Sequence, residues 1–155
     1  LALVEARAHV GDVVAGMTER MTATAPQTEV VYVCTIPGVP VSLNEWQRMH
    51  WARQERERAR WQEMVWAVLS EKGNKCPRGL ARIELRAVLV FPRGARRDAS
   101  NFGAVLWKLT LDVLVREKVI PDDTARYVEC REPRIVSGER AATVLMVKGW
   151  RGGGE

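Results

Sequence analysis

Long hydrophobic runs are missing from this 155-residue chain. None approaches the roughly 18 residues that a membrane-spanning helix requires, so no span is expected. Histidine is scarce, limited to His9 and His50, and the three cysteines, Cys34, Cys76 and Cys130, include no C-x-x-C pair. A zinc site could be assembled only from scattered side chains, and an odd, widely spaced set of thiols gives no disulfide framework. A reducing cytoplasm is the expected compartment. The first residues lack a basic stretch followed by an apolar one, so no secretory signal is read there.

What is present fits a packed domain. Hydrophobic residues make up 46% and charged residues 28%, enough apolar material for a core and too much for wholesale disorder. Lys and Arg number 24 against 19 Asp and Glu, a net charge of +5. That balance suits a polyanionic partner such as nucleic acid, although many unrelated proteins share it.

Residues 1–28 carry Gly11, Gly16, Thr18, Thr22, Thr24 and Pro26, with weak helical periodicity around Val4 to Val14. They read as a poorly ordered extension, with a short docking helix as the alternative, and Met17 and Met21 offer other starting points. The compact part spans 29–150 as one domain, and 151–155 form a flexible tail. Val30 to Ile36 are β-branched and aromatic, and Pro37-Gly38-Val39-Pro40 stops that strand. A long helical stretch follows from about 44 or 51 to 72, with Gly73 just past its end. Its apolar stripe is Trp61, Val65, Val68 and Leu69. Ile83, Leu85, Ala87, Leu89 and Phe91 alternate with Arg82, Glu84 and Arg86, the pattern of a half-buried strand. A second helix is expected over 101–116, then strands over about 125–131 and 141–148, turning through Ser137-Gly138. The order β-α-β-α-β-β predicts a single α/β or α+β domain, with a small mixed sheet and two main helices.

On the second helix Asn101, Lys108 and Asp112 fall within about 40° of one another at 100° per residue. Apolar residues flank them on both sides: Val105 and Leu109, then Ala104, Leu111 and Val115. A helix apolar nearly all round is buried, either by its own domain or by a second subunit. Lys108 and Asp112 either form an i,i+4 ion pair or line a site.

Acidic segments stand at both ends of this helix. Before it comes Arg96-Arg97-Asp98-Ala99-Ser100-Asn101, where Ser100 has the chemistry of an N-cap. After it comes Val119-Ile120-Pro121-Asp122-Asp123. Together with Lys108-Leu109-Thr110-Leu111-Asp112-Val113-Leu114, this resembles the signature of the RusA-type Holliday-junction resolvases of phages and prophages. That signature is R-R-D-x-D-N, then K-x-x-x-D-x-L, then a hydrophobic turn ending in D-D. Upstream, Pro37-Gly38-Val39-Pro40-Val41-Ser42-Leu43-Asn44 resembles the family's P-x-P-x-S-x-N turn. The likeness covers about 31–148.

The resemblance implies a Mg²⁺-dependent endonuclease, with Mn²⁺ as a substitute, that resolves four-way or other branched DNA as a homodimer in a bacterial cytoplasm. It places metal ligands at Asp98 and Asp123, with Asp122 as a direct or indirect contributor, and the catalytic lysine at Lys108. Ser100, Asn101 and Asp112 stand beside them, with Asp112 expected to hold Lys108. The chain departs from the pattern twice. Ser100 occupies the place of the family's second aspartate, and the stretch from Asn101 to Lys108 is longer by about one helical turn. Anchored at Asn101, the alignment puts Ala104 in the lysine's place.

DNA contacts are expected from Arg48, Arg53, Arg56, Arg58 and Arg60, interleaved with Trp46, His50 and Trp51, and from Arg93, Arg96 and Arg97 beside the site. Arginine matches phosphate geometry, and aromatic rings stack on exposed bases. The same arginines could instead form a solvated face balanced by Glu55 and Glu57, with Trp46 and Trp51 in the core. His50 reads as structural or phosphate-contacting, not as a metal ligand. A nuclease of the P-D…(D/E)-x-K type fails on spacing, since Pro121-Asp122 is followed by Glu129-Cys130-Arg131.

Overall fold

A computed structural model describes residues 28–92 and 97–152. The extension 1–27, Arg93, Arg96 and residues 153–155 lie outside the described residues. Strand β1 (Glu29–Ile36) leads into two short-linked helices, α1 (Leu43–Arg48) and α2 (Trp51–Leu69). Then follow β2 (Arg82–Phe91), α3 (Ser100–Arg116), β3 (Val128–Cys130), β4 (Arg134–Ser137) and β5 (Ala142–Trp150). The fold is a small α+β domain built on one mixed five-stranded sheet.

Both starting points read from the sequence for the first helical stretch are real helix starts. Ser42 caps α1 by accepting from the Glu45 N–H at 3.1 Å, the first half of an S-x-x-E box. Met49 then adopts an extended backbone, and His50 caps α2 through Nδ1, which accepts from the Ala52 N–H at 3.3 Å. His50 is therefore a structural residue. Helix α2 ends at Leu69, three residues earlier than expected, because Cys76 N–H closes back on the Leu69 carbonyl. Gly73, at φ 91°, serves the turn beyond.

The sheet order is β1-β5-β2, with β3 and β4 both parallel to β2 along its far edge. The end of the chain differs from the two strands anticipated. Arg131, Glu132 and Pro133 interrupt that edge, leaving two short strands. Ser137-Gly138 does not turn a hairpin; Gly138 N–H bonds the Phe91 carbonyl as the chain crosses the end of β2 to start β5 on its other side.

The main core lies between one sheet face and the three helices. Ile36, Leu85, Leu89 and Leu145 meet Trp61, Val65, Val105, Leu106 and Leu109 there. Trp61 Nε1 donates to Thr110 Oγ1 at 3.2 Å, tying α2 to α3 inside the core. The apolar surface of α3 is thus consumed by its own domain, and its exposed stripe is Ser100, Ala104, Lys108, Asp112 and Arg116. No described helix is long and apolar enough to cross a membrane.

Candidate nucleic-acid and metal site

Asp98 opens α3. Its Oδ1 accepts from the Ser100 backbone N–H at 3.0 Å and from Ser100 Oγ at 2.9 Å, while its carbonyl accepts from Asn101 N–H. Asp98, not Ser100, is therefore the capping residue. The first helical turn begins two residues earlier than expected, and a carboxylate suits the positive helix end better than a hydroxyl. Asn101 Oδ1 accepts from the Asn44 backbone N–H at 3.3 Å. That bond joins two segments 57 residues apart, the proline-bounded turn before α1 and the acidic entry to α3.

Asp122 and Asp123 occupy the other end. Asp122 Oδ1 accepts from the Asp123 N–H at 2.8 Å in a local turn, and both side chains are exposed. The segment around them is pinned to the start of β2, through Leu80 N–H on Val119 and Ile83 N–H on Tyr127. Asp98, by contrast, follows the end of β2, where Arg97 lies over the Phe91 ring at 4.3 Å and Phe91 meets Phe102. The 17 residues of α3 rise about 25 Å at 1.5 Å each. Ligands that share one Mg²⁺ each place an oxygen about 2.1 Å from it. Within one chain Asp98 and the Asp122-Asp123 pair therefore stand far beyond shared coordination. Among the described residues no three His, Cys, Asp or Glu side chains are grouped to hold a metal ion.

Lys108 is exposed at the midpoint of α3, about 12 Å along the axis from either end. It makes no ion pair with Asp112. Asp112 Oδ2 instead accepts from Gln62 Nε2 at 3.3 Å and faces Arg58 Nη1 at 3.8 Å, both on α2. Packing of α2 on α3 supplies closer partners than the neighbouring turn does, and sequence spacing on one helix carries no sign of that.

The arginines divide into two groups. Glu55 faces Arg58 at 3.4 Å and Glu57 binds Arg60 at 2.9 Å, each taking the arginine three residues on. Arg58 also lies over the Trp46 ring at 5.8 Å. Arg48, Arg53 and Arg56 are exposed and face no carboxylate among the described residues. Trp46 is core, but Trp51 is 69% exposed beside the His50 ring. Trp51 continues the buried stripe of α2 one step past the point where the core ends. The two concavities lined by Trp66, Lys75 and Arg78 and by Gly79, Lys118 and Pro121 include none of these side chains. The arrangement is an open surface, the form a duplex or junction needs.

No protein-family model matches the chain, and no curated protein matches it.

Proposed function

We propose that this chain is a divalent-cation-dependent endonuclease of branched DNA whose sites are completed by a second copy. The observation that supports the reading best is the Asn44–Asn101 hydrogen bond. It draws together the two separate segments whose motifs resemble the resolvase signature, with Asp98 immediately beside them.

The donor chemistry suits a hard cation. Asp98 Oδ2, the Asp123 carboxylate and Asp122 Oδ2 are exposed oxygens without hydrogen-bond partners among the described residues. Mg²⁺ takes one or two carboxylates and keeps waters that a phosphate displaces. A cation held there supplies an acidified water and neutralises phosphate oxygens. With the two acidic groups at opposite ends of α3, each needs a counterpart from another chain. A two-fold pair would create two such sites, matching the two strands cut in a four-way junction. Lys108, exposed and unpaired among the described residues, would neutralise charge developing on the phosphate. Arg48, Arg53 and Arg56 would grip the backbone.

A second reading, non-catalytic binding of branched DNA, is favoured by the lack of three converging acidic side chains among the described residues. Subunit mixing separates the two. Asp98→Asn and Asp123→Asn are each expected to bind a four-way junction and to cut it poorly in Mg²⁺. Mixed dimers of the two carry one intact site and one doubly disabled site, so mixing restores nicking of one strand. Wild-type cutting by either single variant defeats the site assignment. Activity in the wild type without recovery on mixing defeats the shared site, and an inactive wild type with Mg²⁺ and Mn²⁺ leaves the binding reading.

A further inference from the structure

The second face of the sheet has a core of its own. Val88 and Val90 of β2 and Val144 and Met146 of β5 form a separate hydrophobic cluster, with Val33, Val136 and Ala142 packed against it. Register places them side by side: Val33 beside Met146, Val144 beside Val88, and Val90 between Ala142 and Val136. Every member sits on a strand. The apolar side chains of the three helices all join the cluster on the opposite face. Yet Val88 and Met146 are 1% exposed, Val90 5% and Val144 8%, and the charged Lys148 on the same face is 1% exposed. Side chains standing out of a single-layer sheet keep their tips in water. Exposures this low demand a further layer.

We propose that residues 1–27 form that layer, lying across the second sheet face as an amphipathic helix. Their attachment is in the right place. Thr28 carbonyl accepts from Arg151 N–H at 3.0 Å, so the segment meets the sheet at the corner shared by β1 and the end of β5. Their length is sufficient. A helix over 3–21 would run about 27 Å, close to the roughly 30 Å of the ten-residue β2, with seven residues left as a connection. Their pattern is suitable as well. At 100° per residue Leu3, Val10, Val14, Met17 and Met21 fall within about 60° of one another. Gly11 and Gly16 make a poor free-standing helix, so its order depends on docking. The short segment 93–96 and the three residues 153–155 cannot cover such an area. The proposal is independent of the nuclease reading.

The test uses the full-length chain with ¹³C-labelled methionine methyl groups, which number five: Met17, Met21, Met49, Met64 and Met146. Nuclear Overhauser contacts are expected from the Met146 methyl to that of Met17 or Met21, assigned by Met→Leu variants. They should persist when labelled protein is diluted into unlabelled protein. Contacts found only between differently labelled copies would mean that a second chain covers the face, overturning the proposal. Absence of any contact from Met146 to residues 1–27 would overturn it equally. A full-length Val14→Asp variant supplies an independent readout. Tryptic cleavage at Arg20 should accelerate about tenfold as the layer detaches, and an unchanged rate would count against docking.

Discussion

Ser100 gives both its backbone N–H and its hydroxyl to a single oxygen of Asp98, at 3.0 and 2.9 Å. The residue standing where the resembled family carries an acid thus fixes the rotamer of the neighbouring carboxylate. Asp98 Oδ1 is held by that pair of bonds, and Oδ2 is the oxygen turned to other work.

Ser100→Asp should lower the Mg²⁺ concentration needed for half-maximal cleavage, because an added carboxylate is a stronger ligand than a hydroxyl. The helix start tolerates the change, since a negative charge is favourable in the first turn. Ser100→Ala should raise the same midpoint by releasing Asp98 from its rotamer. Titrating Mg²⁺ against four-way-junction cleavage for all three forms checks both directions. Equal midpoints would separate Ser100 from the metal altogether.

Lys108→Ala should leave stability within about 0.5 kcal/mol, because the side chain is exposed and holds no partner among the described residues. Turnover should fall by about 2–4 kcal/mol in activation free energy if the ammonium meets transition-state charge. Single-turnover cleavage at saturating enzyme, with a thermal melt as control, reads both. Unchanged turnover assigns Lys108 to plain solvation.

The division among the arginines makes its own prediction. Replacing Arg53 and Arg56 should flatten the dependence of log affinity on log salt by roughly 0.9 for each phosphate left without its guanidinium. Arg60→Ala should do less, its guanidinium being already bound to Glu57 at 2.9 Å. Trp51→Ala should weaken binding to a junction by about 1–3 kcal/mol and to plain duplex by far less, since only a branch point offers unstacked bases. Equal losses on both substrates would remove the stacking role.

Glu84 is 7% exposed, and its Oε1 accepts from Arg86 at 2.8 Å and from Arg131 at 3.0 Å. Glu84→Ala strands Arg86 on a half-buried sheet face and should cost roughly 3–5 kcal/mol. Urea unfolding measures it. A loss below about 1 kcal/mol would show that water reaches the guanidinium readily.

Stability should fall at alkaline pH. Burial pushes the Cys34 thiol up to about 11 and the Cys76 thiol up to about 12, from an ordinary value near 9. The folded chain therefore retains protons that the unfolded chain releases. Stability from this source is complete below about pH 8.5 and is lost as pH rises towards 11–12. Melts from pH 7 to 10.5 should show the decline, and Cys76→Ala should make it shallower.

Local chemistry settled much of this protein in advance. Alternation marked β2, Pro37 to Pro40 ended β1, and the apolar stripe of α2 named Trp61, Val65 and Leu69 as core. These features depend on residues within a few positions of one another, so period and turn chemistry suffice. Trp46 and Trp51 could not be told apart that way, because exposure depends on where the core ends and not on the stripe. The broken edge of β3 and β4 was equally hidden, since it arises where the chain meets β2. So were the partners of Asp112, which come from α2. The acidic segments look adjacent in sequence logic, one before α3 and one after. The rise of a 17-residue helix sets them about 25 Å apart in one chain. Sequence determined which side chains could do the chemistry. Tertiary structure decided which of them can meet, because distance between helix ends is fixed by backbone geometry and not by residue type.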